Sequence, residues 1–432
     1  MSSESDSRAC KPCSIMLENR RRECLSSSDP EIWQLTRAEA ERQRTHIELI
    51  ASENYSSPNV RQVMASELTD KYAEGYPRHR WYEGCQVADS VESLAISRAK
   101  KLFGAEHANV QPHAGSQANM AVYFSFLKPG DKILSMDLRH GGHLTHGHSH
   151  NFSGLLFQIC HYGVNRETEQ IDYDELRDIA RDFRPNIIVA GASSYPRTLR
   201  FDRFRAIADE VGARLMVDIA HIAGLVAAGV HPDPVCVADY VTSTTHKTLR
   251  GPRGGFILCK SEYGSAIDKT IFPGMQGGPL MHIIAAKAVA FREAMEPEFK
   301  IYAEQIVRNA KVLCESLADK GAKIVSGGTD NHLFLIDCLP LGISGGQAAA
   351  ALDRANITAN KNVIPFDTRP PHDPSGVRIG TPAITTRGMT EPEMILLSDL
   401  IWEVMTNSDD EATIARVKSQ VLEMCEAFPV PG

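Results

Sequence analysis

Apolar residues recur at helical spacing through Val87, Val91, Leu94, Ala95, Leu102 and Phe103, until Gly104 stops the pattern. Beyond it the chain changes to short apolar runs. Ala108–Val110, Ile133–Met136, Leu155–Ile159, Ile187–Ala190, Leu215–Val217, Tyr240–Thr242 and Gly255–Leu258 predict buried strands. Helical segments at Tyr173–Phe183 and Phe201–Val211 fall between them. This alternation predicts an α/β layer with a mostly parallel sheet. Two longer helical patterns follow, over about 280–296 and 299–320. Strand patterns then restart at Lys323–Val325 and His332–Ile336, with helices at about 345–355 and 391–407, as expected of a smaller α+β domain. Upstream, Asp29-Pro30-Glu31 combines an N-cap, a first-turn proline and an acid, so an exposed helix should begin there. The pattern divides the chain into a weakly ordered polar tail (1–29), a helical arm (30–86), a large domain (87–320) and a small C-terminal domain (321–432).

Composition narrows the class without changing that picture. With 432 residues, 43% hydrophobic and 23% charged, the chain is not a disordered polymer, a collagen repeat or a rod. Its 46 basic against 54 acidic side chains give −8, so no overall charge draws it to nucleic acid or anionic lipid, although local basic sites stay open. Ten cysteines without regular spacing do not form a disulfide framework, and a reducing, cytoplasmic setting is expected. Cys10-Lys11-Pro12-Cys13 could supply half a zinc site but has no second C-x-x-C. No apolar run is long enough to span a membrane, and Met1–Asp6 opens no secretory signal. Arg20-Arg21-Arg22, among acidic neighbours, reads as part of a solvated tail.

Three elements then fall on predicted strand ends. Asp218-Ile219-Ala220-His221 follows one strand, where an open α/β sheet places its ligands; alone, the aspartate is no more than a helix cap. Thr244-Thr245-His246-Lys247-Thr248 follows another, before the turn Gly251-Pro252-Arg253-Gly254-Gly255. A desolvated lysine there can serve as a Schiff-base nucleophile, though most lysines before loops are surface groups. His113-Ala114-Gly115-Ser116-Gln117 opens a helix, whose N-terminus favours phosphate. Phosphate cradle, carboxylate and lysine together are what pyridoxal phosphate requires. No dinucleotide fingerprint or P-loop occurs. The rival signal is His140-x-x-His143-x-x-His146-x-His148-x-His150, five imidazoles in eleven residues; its spacing matches no zinc pattern and no acid or thiol lies within it. His143 is instead a candidate for stacking on a cofactor ring.

At these residues the chain resembles serine hydroxymethyltransferase, a pyridoxal-phosphate enzyme family of the aspartate-aminotransferase fold (fold type I). The likeness runs from about residue 30 to the C-terminus through His46–Asn54, Lys71–Pro77, His140–Gly147, Thr244–Thr248, Gln276–Leu280 and Arg378–Ile384. The resemblance makes 87–320 the cofactor-binding domain and implies a role for each matching residue. Lys247 would carry the cofactor, Asp218 would pair with its pyridine nitrogen, and His143 would stack on its ring. His221 and Ser193 would contact its 3-hydroxyl side, and Gly115 and Ser116 its phosphate, with Tyr72, Gly277 and Gly278 reaching in from a second subunit. Arg378 would grip the substrate carboxylate, assisted by Ser52 and His246. Glu74 would act as acid–base carboxylate beside Tyr82. Tetrahydrofolate, the cosubstrate, would touch Leu138, Gly142, Leu144 and Asn362 and, across a homodimer or tetramer, Trp81 and Phe272.

Three positions depart from the family pattern. Ala114 replaces a common phosphate-binding serine, a hydrogen bond worth about 1 kcal/mol. Glu83 and Met275 stand where glycine is usual, near the expected substrate and folate mouth. The expected activity is the interconversion of serine and glycine with transfer of one carbon to tetrahydrofolate. Alternatives on the same scaffold are an α-methylserine hydroxymethyltransferase or a folate-independent 3-hydroxy-amino-acid aldolase. A binding protein on an inactive scaffold, or a metal-binding role for the histidines, would be a different class.

Overall fold

The computed structural model describes residues 24–432. The Cys10–Cys13 pair, the Arg20–Arg22 run and the rest of 1–23 lie outside the described residues. Within the expected tail, Leu25–Ser28 form one exposed helical turn, with the Ser27 and Ser28 hydroxyls donating to the Cys24 carbonyl. Helix α1 (Pro30–Thr45) then starts as its sequence requires: the Asp29 side chain accepts from Ile32 N at 3.1 Å and Pro30 fills the first turn. No residue of α1 is buried.

Seven strands form the large sheet: β1 (His107–Asn109), β2 (Lys132–Met136), β3 (Gln158–Tyr162), β4 (Ile187–Ala190), β5 (Arg214–Asp218), β6 (Tyr240–Thr244) and β7 (Gly255–Cys259). Their spatial order is β1-β7-β6-β5-β4-β2-β3, and only β7 runs against its neighbours. Both faces of the central strands are covered, so their positions have to be apolar or internally bonded. The strand alternation makes this visible: Leu134, Ile188, Leu215, Val217 and Phe256 enter one core, while Ile133, Ile187, Val189, Met216 and Ile257 enter the other. Helices α2 (Gln86–Phe103), α4 (Tyr173–Phe183) and α5 (Phe201–Val211) cover the first face. Helix α3 (Gly115–Phe124) covers the second through Ala118, Ala121 and Val122.

One predicted strand is corrected. Phe152–Leu156 is a short helix capped by Asn151, and the strand starts only at Gln158. Leu155 is 71% exposed, so its apolar run carries no burial signal.

The long helices α6 (Met281–Ala294) and α7 (Pro297–Asp319) lead to a four-stranded antiparallel sheet of order β8-β9-β11-β10. Its strands are β8 (Lys323–Ile324), β9 (Leu333–Asp337), β10 (Asn360–Asn362) and β11 (Gly376–Gly380). Helices α8 (Gly345–Arg354), α9 (Glu391–Thr406) and α10 (Glu411–Ala427) pack on it; α10 was not foreseen. The segment after α1 joins this unit: Ile47–Glu48 pairs with Ile357–Thr358, and Gly380 N donates to Leu49 O at 2.8 Å. That stitching carries Ser52 and Glu53 to the end of β11, beside Arg378.

Candidate active site

A cavity of about 420 Å³ opens beyond the carboxyl ends of the parallel strands. Each wall comes from a strand end: Ala114–Ser116 after β1, His143 and His146 after β2, Ala192 and Ser193 after β4, Asp218 ending β5, and His246 and Lys247 after β6. The small sheet contributes Arg378 from β11, and the stitched segment contributes Ser52 and Glu53. This is where an open α/β sheet puts its ligands.

The charges here are set by burial and a few bonds. Burial alone would raise the Asp218 carboxyl. Two donors hold it well below the carboxylate range instead: His146 Nε2 at 3.1 Å and Asn119 Nδ2 at 2.9 Å. Because His143 N donates to His146 Nδ1 at 3.2 Å, the Nε2–H tautomer of His146 satisfies both contacts. Thr145 N likewise donates to His143 Nδ1 at 3.2 Å, a contact that the Nε2–H tautomer of His143 satisfies.

Desolvation pushes Lys247 down to about 8, against the pull of Asp218 and with Arg378 and Arg253 adding to the lowering. The neighbouring imidazoles stay neutral. Burial takes His143 to about 4 and His246 to about 3. His221, bonded through Nδ1 to His332 Nε2 at 3.2 Å, is held well below its usual value by burial and by Lys247.

Arg378 is 8% exposed and makes no ion pair among the described residues. It donates to Ser193 O at 2.7 Å and to Asn360 Oδ1 at 3.0 Å. Burial lowers it only to about 10, so it stays a cation without a counter-ion. Such a group invites a carboxylate. At the opposite wall, helix α3 begins at Gly115 with Ala114 as its N-cap, which offers no capping side chain, so the first-turn N–H groups face the cavity unmasked.

A second cluster lies apart from these walls. Tyr82 donates its hydroxyl to Glu74, a bond that pushes the phenol up to about 12. Gly277 and Gly278 lie against Glu74 and Tyr72, where a side chain would collide with the tyrosine ring at 2.9 Å. The Trp81 and Phe272 rings meet edge-on at 6.4 Å. None of these residues lines the Lys247 cavity, and Tyr72, Trp81 and Tyr82 are 60%, 72% and 43% exposed.

The family model for serine hydroxymethyltransferase matches residues 25–401. The chain belongs to the serine hydroxymethyltransferase family. It is 58% identical over 414 residues to the serine hydroxymethyltransferase of Myxococcus xanthus (strain DK1622), covering 96% of this chain and 99% of that one. Against that of Koribacter versatilis (strain Ellin345), identity is 59% over 414 residues, covering 96% and 97%.

Seen beside the sequence expectations, the family member gathers Ser52, Gly115, Ser116, His143, Ser193, Asp218, His221, His246, Lys247 and Arg378 around one cavity. It keeps Tyr72, Glu74, Tyr82, Gly277 and Gly278 elsewhere in the same chain. Leu138 and Leu144 are exposed, Gly142 is buried and Asn362 is half-buried on β10; none of the four is a wall of the cavity. The five histidines separate rather than converge: His143 and His146 serve the cavity, while His140 Nδ1 accepts from Val164 N at 3.1 Å. Among the described residues no group of three or more His, Cys, Asp or Glu side chains is arranged to hold a metal. Sequence reading missed His146, Asn119 and His332. His146 was visible within the histidine string, but no spacing rule links it to Asp218 across 72 positions.

Proposed function

We propose that this chain is a pyridoxal-phosphate-dependent serine hydroxymethyltransferase. The observation that carries the reading is one cavity holding a desolvated Lys247, an ionised Asp218 and an uncompensated Arg378. The donor set fits pyridoxal phosphate. Lys247 would hold its aldehyde, Asp218 would keep a proton on the ring nitrogen, and the start of α3 at Gly115 and Ser116 would hold its phosphate. When bound, the cofactor supplies an electron sink for a bond broken at the substrate Cα.

The protein's own groups do the rest. Arg378, with Ser52 and His246, fixes the amino-acid carboxylate and so fixes which Cα bond is aligned. His143 presents a neutral ring face, and His221 with Ser193 serves the 3-hydroxyl side. Serine then loses its hydroxymethyl carbon at the formaldehyde level. Tetrahydrofolate takes up that carbon with loss of water, and a proton delivered to Cα leaves glycine. Glu74, bonded to Tyr82, is suited to moving that proton. Since Glu74, Tyr82, Tyr72, Gly277 and Gly278 stand off the Lys247 cavity, the reading requires a second copy of the chain to bring them in, together with Trp81 and Phe272 at the folate mouth. Leu138, Gly142, Leu144 and Asn362 would complete the folate contacts. The family's small-molecule chemistry needs no nucleic-acid or membrane partner, and no helix of the described residues is long and apolar enough to cross a membrane. A cytoplasmic setting accords with this chemistry.

The test is glycine formation from serine, α-methylserine and allo-threonine, with and without tetrahydrofolate. Serine turnover that depends on tetrahydrofolate and exceeds the other two supports the reading. Preference for α-methylserine, or equal rates without folate, would move the assignment to one of the alternatives.

A further inference from the structure

Lys287 lies in the middle of α6, is 1% exposed and does not line the Lys247 cavity. Its ammonium donates to Val110 O at 2.7 Å, Pro112 O at 3.0 Å and Gly255 O at 2.7 Å. All three N–H groups are used, and all three acceptors are main-chain carbonyls at strand ends. Val110 and Pro112 belong to the segment that runs from β1 into the start of α3. Gly255 opens β7 and follows the loop that begins with Lys247.

The packing around this junction leaves no slack. A side chain at Gly254 would meet Lys287 Cε at 2.5 Å, and one at Gly255 would meet Ala114 O at 2.5 Å. The glycine pair therefore admits the lysine stem on one side and the phosphate-facing turn on the other. Gly255 N also donates to Pro112 O at 3.0 Å, and Thr245 N to Gly254 O at 3.1 Å. The same few atoms thus connect the α3 N-terminus, the Lys247 loop and the ammonium.

We propose that Lys287 is a positioning residue, a built-in cation that clamps three carbonyls and thereby sets the α3 N-terminus against the Lys247 loop so that phosphate and aldehyde of one cofactor can be held together. The inference rests on the cofactor reading above. A neutral amine has only two N–H groups and would turn a lone pair toward one carbonyl, so the charged form is the one the site is built for. Burial pushes the ammonium down to about 7, and Glu92, itself buried and paired with Arg80, pulls the other way. The three carbonyl acceptors are what the charged form alone satisfies.

The test is the dissociation constant of pyridoxal phosphate for the full-length apo-protein, read by intrinsic fluorescence, with the apo-protein's melting temperature measured alongside. Lys287→Met removes three bonds within the chain. It should weaken cofactor binding by at least about tenfold, the factor for one charge-assisted hydrogen bond to the phosphate lost as the start of α3 shifts. Lys287→Ala should recover affinity in ammonium chloride but not in tetramethylammonium chloride at equal ionic strength, because only ammonium can donate to the carbonyls. A folded Lys287→Met protein with wild-type affinity, or equal behaviour in the two salts, overturns the proposal. If the variants do not fold, refolding yield in the two salts reads the same site, and equal yields overturn it. A wild-type protein that fails to bind pyridoxal phosphate would defeat the functional reading itself, which keeps the two failures apart.

Discussion

The Lys247 cavity and the Glu74–Tyr82 cluster carry the two halves of one proposed chemistry, and they are built in opposite ways. In the cavity, burial lowers Lys247, keeps His143, His221 and His246 neutral and leaves Arg378 without a counter-ion, while hydrogen bonds from His146 and Asn119 hold Asp218 ionised. In the cluster, aromatic rings stand in solvent and the acid is bonded only to its neighbouring phenol. A single chain can therefore pre-form the cofactor's cradle, because a parallel sheet brings many strand ends to one place. Glu74, by contrast, stays half-buried beside those exposed rings, and in the proposed reading a second copy of the chain covers it.

The sharpest way to break this contrast is at Lys247. Lys247→Ala should lose covalent retention of the cofactor and at least about a thousandfold in turnover. Mass measurement after borohydride treatment reads the retention, and cofactor still fixed to the variant would place the nucleophile elsewhere.

Next in size is complementation. Glu74→Gln and Lys247→Ala proteins should each be nearly inactive alone. Unfolded together and refolded, they should return about a quarter of wild-type activity, since half the dimers are mixed and each of those carries one intact site. If Glu74 serves its own chain, no mixed dimer has an intact site and nothing is recovered. Arg378→Lys should act more narrowly. Losing the guanidinium fork costs about 1.5–3 kcal/mol, or roughly ten- to a hundredfold in the serine KM, with cofactor binding unchanged. An unchanged KM would move the carboxylate site.

These tests also separate what the chain discloses from what only the fold does. The strands of the large sheet were legible because a sheet covered on both sides needs continuous apolar runs, and Ile187–Ala190 and Gly255–Cys259 have nothing else to do. Leu155-Leu156 deceived for the same reason: an apolar pair on an exposed helical turn reads like a strand. The walls of the cavity were legible as strand-end motifs. Their separation from Glu74 and Tyr82 was not, because whether two motifs face each other in one chain depends on tertiary packing. Lys287 was within reach. It shares the buried stripe of Ile284 and Phe291 at helical spacing, and a lysine on such a stripe must have found carbonyls or an acid.

The last effect is on stability, and it distinguishes the two regions without any turnover. His143 titrates near 4 and His246 and His332 near 3 in the fold, each because it is buried, against 6.5 for an ordinary histidine. Their folded pKa values are depressed, so between 6.5 and those values the unfolded chain binds more protons than the native one. The stability they contribute is fully present above about 6.5 and drains as pH falls toward 4 and then 3, at up to about 1.4 kcal/mol per pH unit per group. Asp218 adds a further loss only at lower pH, since its own unfolded value is near 3.8. Apo-protein melting temperature followed from pH 8 to pH 4 should therefore decline below about 6.5. Replacing His332, which is fully buried and pairs with His221, by Gln should flatten that decline, whereas Tyr82→Phe in the exposed cluster should leave its slope in place. A His332→Gln slope equal to that of the wild type would mean that the imidazole is not held neutral by burial, and the contrast between the two regions would lose its electrostatic basis.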